Sequence, residues 1–95
     1  MKLEVITPES SLFNGEAVSV SLPGVDGFFQ ILNNHAPIIS ALKQGTLKVE
    51  LTNSFDSEQF KSKLISTTSD SKKIEITING GVAELTNNKM IVLAE

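Results

Sequence analysis

Alternation of apolar and polar side chains is the feature that most constrains how this chain folds. It is clearest in residues 18–22, 47–51 and 74–78, where Val, Leu or Ile occupies every second position. Successive side chains of an extended chain point to opposite faces, so each segment places its apolar residues on one face of a strand. The pattern predicts half-buried strands of an antiparallel sheet.

Three further segments are rich in Val and Ile and lie between turn-forming residues, which predicts strands at residues 3–7, 81–86 and 89–94. Pro8, the Asn and Gly residues at 79–81, and Asn87 with Asn88 supply the turn signals. Short strands separated in this way predict an all-β fold, either a sandwich or a barrel. The alternating pattern favours a flattened antiparallel β-sandwich of about eight to ten strands with little helix. The 95 residues are expected to form one domain, residues 1–95.

Residues 53–72 depart from the alternating pattern. Six of these twenty residues are serines and six are charged, and the main apolar anchors are Phe55, Phe60 and Leu64. Phe60 and Leu64 are four residues apart, and Ser57 is a possible N-cap, so one or two helical turns are conceivable. The segment is expected to be a serine-rich excursion from the sheet: a mobile loop, a hairpin extension or a short helix.

Composition argues against several classes of function. The chain has no cysteine, which excludes a disulfide scaffold, a thiolate metal site and a cysteine nucleophile. A formal net charge of -3 gives no electrostatic reason to expect nucleic acid or anionic lipid as a partner. The N-terminus lacks the apolar stretch of a secretory signal, and no window approaches the ~18 apolar residues of a membrane span. A cytosolic chain is expected, with membrane association only through a partner.

His35 is the only histidine of the chain. It follows two adjacent phenylalanines, Phe28 and Phe29, and comes shortly before Pro37 in a run of turn formers. A single imidazole with scattered carboxylates is weak evidence for a metal site. The chain contains no G-x-S-x-G motif, and the spacing of Gly24 and Gly27 lacks the lysine of a phosphate-binding loop. No catalytic residue, metal or cofactor is therefore expected. A ring nitrogen of His35 can instead bond a backbone group and restrain the loop.

Phe28 and Phe29 point in opposite directions if this segment is extended, so one can enter the core while the other is left for a neighbour. The alternation alone does not say which of the two is buried. The segment from Phe28 to His35 therefore combines an apolar side chain at the surface with a restrained loop. Both features are typical of an interaction site.

Seven short motifs occur in a fixed order: V-I-T-P-E at 5–9, F-x-G at 13–15, L-P-G-x-x-G at 22–27, I-L-x-x-H-A-P at 31–37, L-K-x-G at 42–45, G-G-V-A-E-L at 80–85 and V-L-A-E at 92–95. In this order they resemble the N-terminal β-sandwich domain of the ATP synthase epsilon subunit. The resemblance covers nearly the whole chain outside residues 53–72. Departures are Gln30, where the family usually has Gly, the pair Asn33 and Asn34, where it often has Pro-Gly, and the longer serine-rich excursion.

The resemblance implies a non-catalytic role in a proton-translocating rotary ATP synthase, at the cytoplasmic face of the bacterial inner membrane. Such a subunit belongs to the central stalk, or rotor, and links the gamma subunit to the ring of c subunits. The residues expected to contact gamma are His35, Ala36, Pro37, Ser40 and Thr46. Those expected to contact the c-ring are Asp26, Gly27 and Phe28, so the resemblance implies that Phe28 is exposed and Phe29 buried.

The typical subunit continues into a helical hairpin that can bind ATP and inhibit hydrolysis, whereas this sequence is expected to stop at Glu95. Nucleotide binding and inhibition through such a hairpin are therefore not expected. Two other classes stay open. One is a free-standing β-sandwich module that binds an unrelated protein. The other is a small enzyme that uses His35.

Overall fold

The computed structural model describes residues 1–95 as nine β-strands and no helix. Six strands coincide with those predicted from the sequence, and three are found only in the structure, at Gly27–Leu32, Ile38–Leu42 and Ile65–Thr67. In chain order the strands are β1 (Lys2–Ile6), β2 (Ser11–Gly24), β3 (Gly27–Leu32), β4 (Ile38–Leu42), β5 (Gly45–Leu51), β6 (Ile65–Thr67), β7 (Lys73–Ile78), β8 (Gly81–Thr86) and β9 (Lys89–Ala94). The predicted all-β class and number of strands are confirmed.

The strands form two layers that share the long strand β2. The first layer contains β1, β9, β8 and β4 in that spatial order, and the second contains β3, β2, β5, β7 and β6. The first half of β2 pairs with β1, and the second half pairs with β3 and β5. The register with β5 shifts between Ala17 and Ser19, and a bulge of this kind bends the strand. β2 thereby passes from one layer to the other.

Pairing between neighbouring strands is antiparallel, as predicted, except between β1 and β9. These two strands run parallel, with Leu3 opposite Met90 and Val5 opposite Val92. They come from opposite ends of the chain, so no local pattern could indicate that they are neighbours. The result is a flattened body measuring 32 × 26 × 21 Å.

The core lies between the two layers and consists of one connected cluster of 21 buried apolar residues. The alternation predicted from the sequence is borne out, because the apolar residues of β5 and β7 face the core and the residues between them face outward. Complete burial of one such side chain stabilises the fold by about 1.5 to 3 kcal/mol. Since the chain has no disulfide, the packing of this cluster holds the two layers together.

The connections follow the turn chemistry expected of Asn and Gly. Asn87 and Asn88 form the two-residue turn between β8 and β9, with φ angles of 51° and 59°. A two-residue turn with both φ angles positive matches the natural twist of a hairpin, and Asn tolerates those angles. Asn34 has a φ of 66° in the connection between β3 and β4, a left-handed conformation that Asn tolerates.

Residues 53–72 contain no helix, and the residue that caps the local turn is Asp56 and not Ser57, the possible cap. The side chain of Asp56 instead accepts hydrogen bonds from the amides of Glu58 and Gln59, at 3.0 and 3.3 Å. The amide of Phe60 also donates to the backbone carbonyl of Asp56 at 3.3 Å. The segment therefore makes one capped turn that does not continue into a helix. Part of the excursion is β6, a short strand paired with β7.

An aromatic cluster fixes this excursion against the sandwich. The ring centroid of Phe60 lies 5.0 Å from that of Phe13, and the ring of Phe55 lies 6.3 Å from both. Phe13 is buried, whereas Leu64, the third expected anchor, is 39% exposed. Aromatic pairs at these distances contribute about 0.5 to 1.5 kcal/mol beyond the area they bury, so two of the three expected anchors hold the segment.

Candidate interaction surfaces

The turn between β2 and β3 presents three of the predicted contact residues. Gly24 pairs with Gly27, and Val25 and Asp26 form the exposed loop between them. A Cβ atom on Gly24 would lie 2.8 Å from the carbonyl oxygen of Gly27 and 2.9 Å from the ring of Phe29. Gly27 has a φ of 128°, a conformation that favours glycine. Both glycines therefore specify the shape of this turn.

The two phenylalanines that follow the turn point in opposite directions. Phe28 is 62% exposed, and Phe29 is half-buried and packs against the core. The predicted alternation is confirmed, although Phe29 is less deeply buried than expected. Asp26, Gly27 and Phe28 are thus contiguous at the surface at one end of the second layer.

The loop that contains His35, Ala36 and Pro37 connects β3 to β4 and is exposed. Nδ1 of His35 lies 2.7 Å from the carbonyl oxygen of Ala36, and the amide of His35 donates to the carbonyl of Leu32 at 3.2 Å. The expectation that this histidine restrains its own loop is therefore confirmed. No titratable neighbour contacts the ring within hydrogen-bonding distance.

A network of asparagines, which the sequence did not reveal, ties this loop to the rest of the molecule. The amide of Asn34 donates to Oδ1 of Asn88 at 2.8 Å, and Nδ2 of Asn88 donates to Oδ1 of Asn33 at 3.0 Å. The N-terminal ammonium of Met1 donates to the same oxygen of Asn33 at 2.6 Å. The only sequence signal was a pair of asparagines in each of two turns, and nothing local linked the two turns.

The other two predicted gamma contacts lie apart from this loop. Ser40 is on β4 opposite the buried Ala83, so its half-buried side chain is on the inner side of the first layer. Thr46 is on β5 opposite Thr77, in the second layer. The structure therefore brings His35, Ala36 and Pro37 together but does not join Ser40 and Thr46 to them in one surface.

The outer side of the first layer carries an exposed apolar surface that sequence reasoning missed. Ala41, Val82, Leu93 and Ile6 lie opposite one another in one row across β4, β8, β9 and β1. Ile39 and Ile91 extend it in the neighbouring row, where they flank Glu84. Ile39 is 75% exposed, Leu93 55% and Val82 42%. We call this set the apolar outer face: Ile6, Ile39, Ala41, Val82, Ile91 and Leu93.

The outer side of the second layer is polar, and we call it the polar outer face. One row places Gln30, Ser21, Lys48, Glu75 and Ser66 opposite one another across five strands. A second row continues from Ser19 to Glu50 and Lys73. A shallow depression of about 410 Å³ lies over these rows and is lined mostly by hydroxyl and charged side chains.

The structure contains no group of three or more His, Asp or Glu side chains that could hold a metal ion. It also contains no helix long and apolar enough to cross a membrane. Three surfaces stand out in the geometry: the turn at 24–27, the loop at 35–37 and the apolar outer face.

Comparison with known proteins shows the family to which the chain belongs. Residues 1–60 match the family model of the ATP synthase delta/epsilon chain β-sandwich domain. The chain is 37% identical over 94 residues to the ATP synthase epsilon chain of Chlorobium limicola, covering 99% of this chain and 88% of the relative. It is 35% identical over 96 residues to the epsilon chain of Sulfurimonas denitrificans, of which it covers 60%. The chain therefore belongs to the ATP synthase epsilon chain family.

A solved structure supports the fold independently. The chain is similar, with a TM-score of 0.67 over 99% of its length, to a chain in the cryo-EM structure of the central stalk and c-ring of the mitochondrial ATP synthase of Tetrahymena thermophila. The identity is 16%, and the match covers 62% of that chain. The predicted resemblance and β-sandwich architecture are both confirmed, and the family consists of subunits of a larger enzyme complex.

Proposed function

We propose that this chain is a central-stalk subunit of a bacterial proton-translocating ATP synthase, and that it links the gamma subunit to the c-ring without catalysing a reaction itself. The observation that carries the proposal is the apolar outer face, in a chain that belongs to the epsilon family. Ile39, Val82 and Leu93 stand open to solvent there. Contiguous exposed apolar surfaces on small proteins are typically sites of contact with another protein.

The gamma subunit is the partner assigned to this face. The loop of His35, Ala36 and Pro37 leads directly into β4, whose second residue, Ile39, is the most exposed member of the face. A single partner lying on the face could therefore also touch the loop. The polar outer face is on the opposite side of the sandwich and takes no part in this contact.

The c-ring is the partner assigned to the turn of Asp26, Gly27 and Phe28. The glycines at 24 and 27 fix the shape of the turn, so the backbone that carries the exposed ring of Phe28 has a defined position. Torque can be transmitted only through contacts that do not yield, which favours a rigid turn over a mobile loop. Association with the cytoplasmic face of the membrane would arise through this contact.

Binding to gamma is tested with a charge placed on each outer face. Ile39→Lys should weaken binding to purified gamma subunit by about 1 to 3 kcal/mol, the range for a central interface residue. The matched control, Ser66→Lys, adds the same charge at an exposed position of the polar outer face and should bind as the wild type does. Titration calorimetry measures both. Equal loss in the two variants, or no binding by the wild-type chain, would contradict the proposal and favour a free-standing binding module.

Attachment to the c-ring is tested at Phe28. Phe28→Ala removes an exposed ring, so the melting temperature should stay near that of the wild type while ATP-driven proton pumping by the reconstituted complex falls. Phe29→Ala is the companion variant, because it removes a half-buried ring that packs on the core and should lower the melting temperature. If Phe28→Ala pumps normally, this turn is not the contact with the ring.

A further inference from the structure

Strand β3 is an open edge of the second layer. It pairs with β2 on one side, and no other strand pairs with it. The opposite edge strand of that layer, β6, has only three residues, and short edge strands are a common protection against unwanted pairing. β3 has six residues, an unbroken register with β2, no charged side chain and no proline. It lacks each of the usual features that prevent another strand from adding to it.

The backbone of β3 bonds to β2 through alternate residues. The amide of Asn33, just beyond the strand, donates to the carbonyl of Val18 at 3.1 Å. Hydrogen-bonded pairs in an antiparallel ladder recur at every second residue, so Ile31 and Phe29 also bond to β2. The residues between them direct their N–H and C=O groups toward the open edge.

Three residues supply these outward backbone groups: Phe28, Gln30 and Leu32. The carbonyl of Leu32 accepts a hydrogen bond from the amide of His35 at 3.2 Å, which leaves the amide of Leu32 and both groups of the other two residues open. The side chains of the same residues lie on the outer side of the layer, where Phe28 is 62% and Leu32 is 55% exposed. The edge therefore combines open backbone groups with two exposed apolar side chains.

We propose that β3 is a strand-addition surface, and that in the free chain it pairs with β3 of a second copy in an antiparallel arrangement about a two-fold axis at Gln30. Gln30 then faces Gln30 of the second copy, and Phe28 faces its Leu32. The amide of Gln30 donates to the carbonyl of Gln30 across the axis, and the amide of Leu32 donates to the carbonyl of Phe28. The symmetry doubles both bonds.

The spacing of the side chains is what favours a second copy over an unrelated peptide. Phe28 and Leu32 lie two residues to either side of Gln30, so the two-fold arrangement opposes an apolar side chain with another at both ends of the pair. The chain carries a net charge of -3, yet β3 itself is uncharged, so two copies meet there without like charges in contact. The pairing does not depend on the assignment of gamma and the c-ring.

Sedimentation velocity of the free chain, from about 1 µM to about 1 mM, tests the proposal. The wild type should form a dimer with increasing concentration. Gln30→Lys and Gln30→Glu should each weaken dimerisation by more than about tenfold, because like charges then meet on the two-fold axis. An equal mixture of the two variants should restore a dimer that contains one of each. Gln44→Lys is the control, since this exposed residue lies outside β3, and it should leave dimerisation unchanged.

Three results would overturn the proposal. One is a wild-type chain that remains monomeric over the whole range. Another is a dimer that persists in both single variants, which would place the contact elsewhere, for example on the apolar outer face. The third is failure of the mixture to restore pairing. Because Gln30 is exposed, thermal melts should show all variants to be folded, and binding of gamma by a monomeric wild type would leave the proposed function intact.

Discussion

The two outer faces of the sandwich are built by the same alternation of side chains but differ in character. Both layers point Leu, Ile and Val residues inward to a common core. On the outer side, the first layer exposes Ile39, Val82 and Leu93, whereas the second exposes mainly hydroxyl, lysine and glutamate side chains. The apolar exceptions on the second layer are Phe28 and Leu32, which lie on its edge strand β3. Stability requires only the inner residues to be apolar. The additional apolar residues of the first layer therefore favour contact with a partner, and the polar rows of the second layer suit solvent.

The largest expected effect tests whether the apolar outer face contributes to folding. Leu85 on β8 faces the core and is 1% exposed, whereas Leu93 on β9 faces outward and is 55% exposed. Leu85→Ala should reduce the free energy of unfolding by about 2 to 5 kcal/mol, the range for a buried leucine. Leu93→Ala removes the same atoms and should cost less than about 1 kcal/mol. Urea denaturation of both variants makes the measurement, and a large loss at Leu93 would mean that the outer face is part of the fold.

An intermediate effect distinguishes the apolar outer face from the loop as the main gamma contact. His35→Ala removes a ring that bonds only its own loop, so it should weaken gamma binding by less than about 1 kcal/mol, as most interface residues do on truncation. Ile39→Ala, on the face, should cost about 1 to 3 kcal/mol. Calorimetric titrations of gamma with the two variants give the order, and the reverse order would make the loop the principal contact.

The smallest effect concerns the polar outer face. Lys48 lies opposite Glu75 on the neighbouring strand, and cross-strand pairs of opposite charge contribute roughly 0.2 to 1 kcal/mol. Lys48→Glu should therefore lower the free energy of unfolding by an amount of that order, and adding Glu75→Lys should restore it. Gamma binding should be unchanged throughout. Loss of gamma binding by Lys48→Glu would show that the partner also covers this side.

The inward side of each strand could be predicted because it follows from neighbours in the sequence. Alternation at 47–51 and 74–78 gave the strands and their buried faces correctly, since the direction of a side chain in a strand depends only on its position relative to the next. The turn at Asn87 and Asn88 could be predicted for a similar reason, because asparagine tolerates the positive φ angles that this turn requires. The order of motifs similarly placed the chain in its family.

Other features depended on contacts between distant parts of the chain. The parallel pairing of β1 with β9, the cluster of Phe13 with Phe55 and Phe60, and the bonds from Asn88 to the loop at 33–34 each join distant segments. In residues 53–72 the sequence allowed a helix capped at Ser57, but the segment forms a single turn capped by Asp56, and two of its phenylalanines pack on Phe13. Tertiary packing determined this segment because its local preferences were weak.

The sequence by itself determined which residues alternate, where the chain turns and which family the chain resembles. Only the tertiary structure decided that Ile39, Val82, Leu93 and Ile6 form one surface, because they come from four strands whose order along the chain differs from their order in the sheet. The same holds for the separation of Ser40 from Thr46, since adjacent strands of the chain lie in different layers. A surface is a property of neighbours in space, and strand order sets those neighbours.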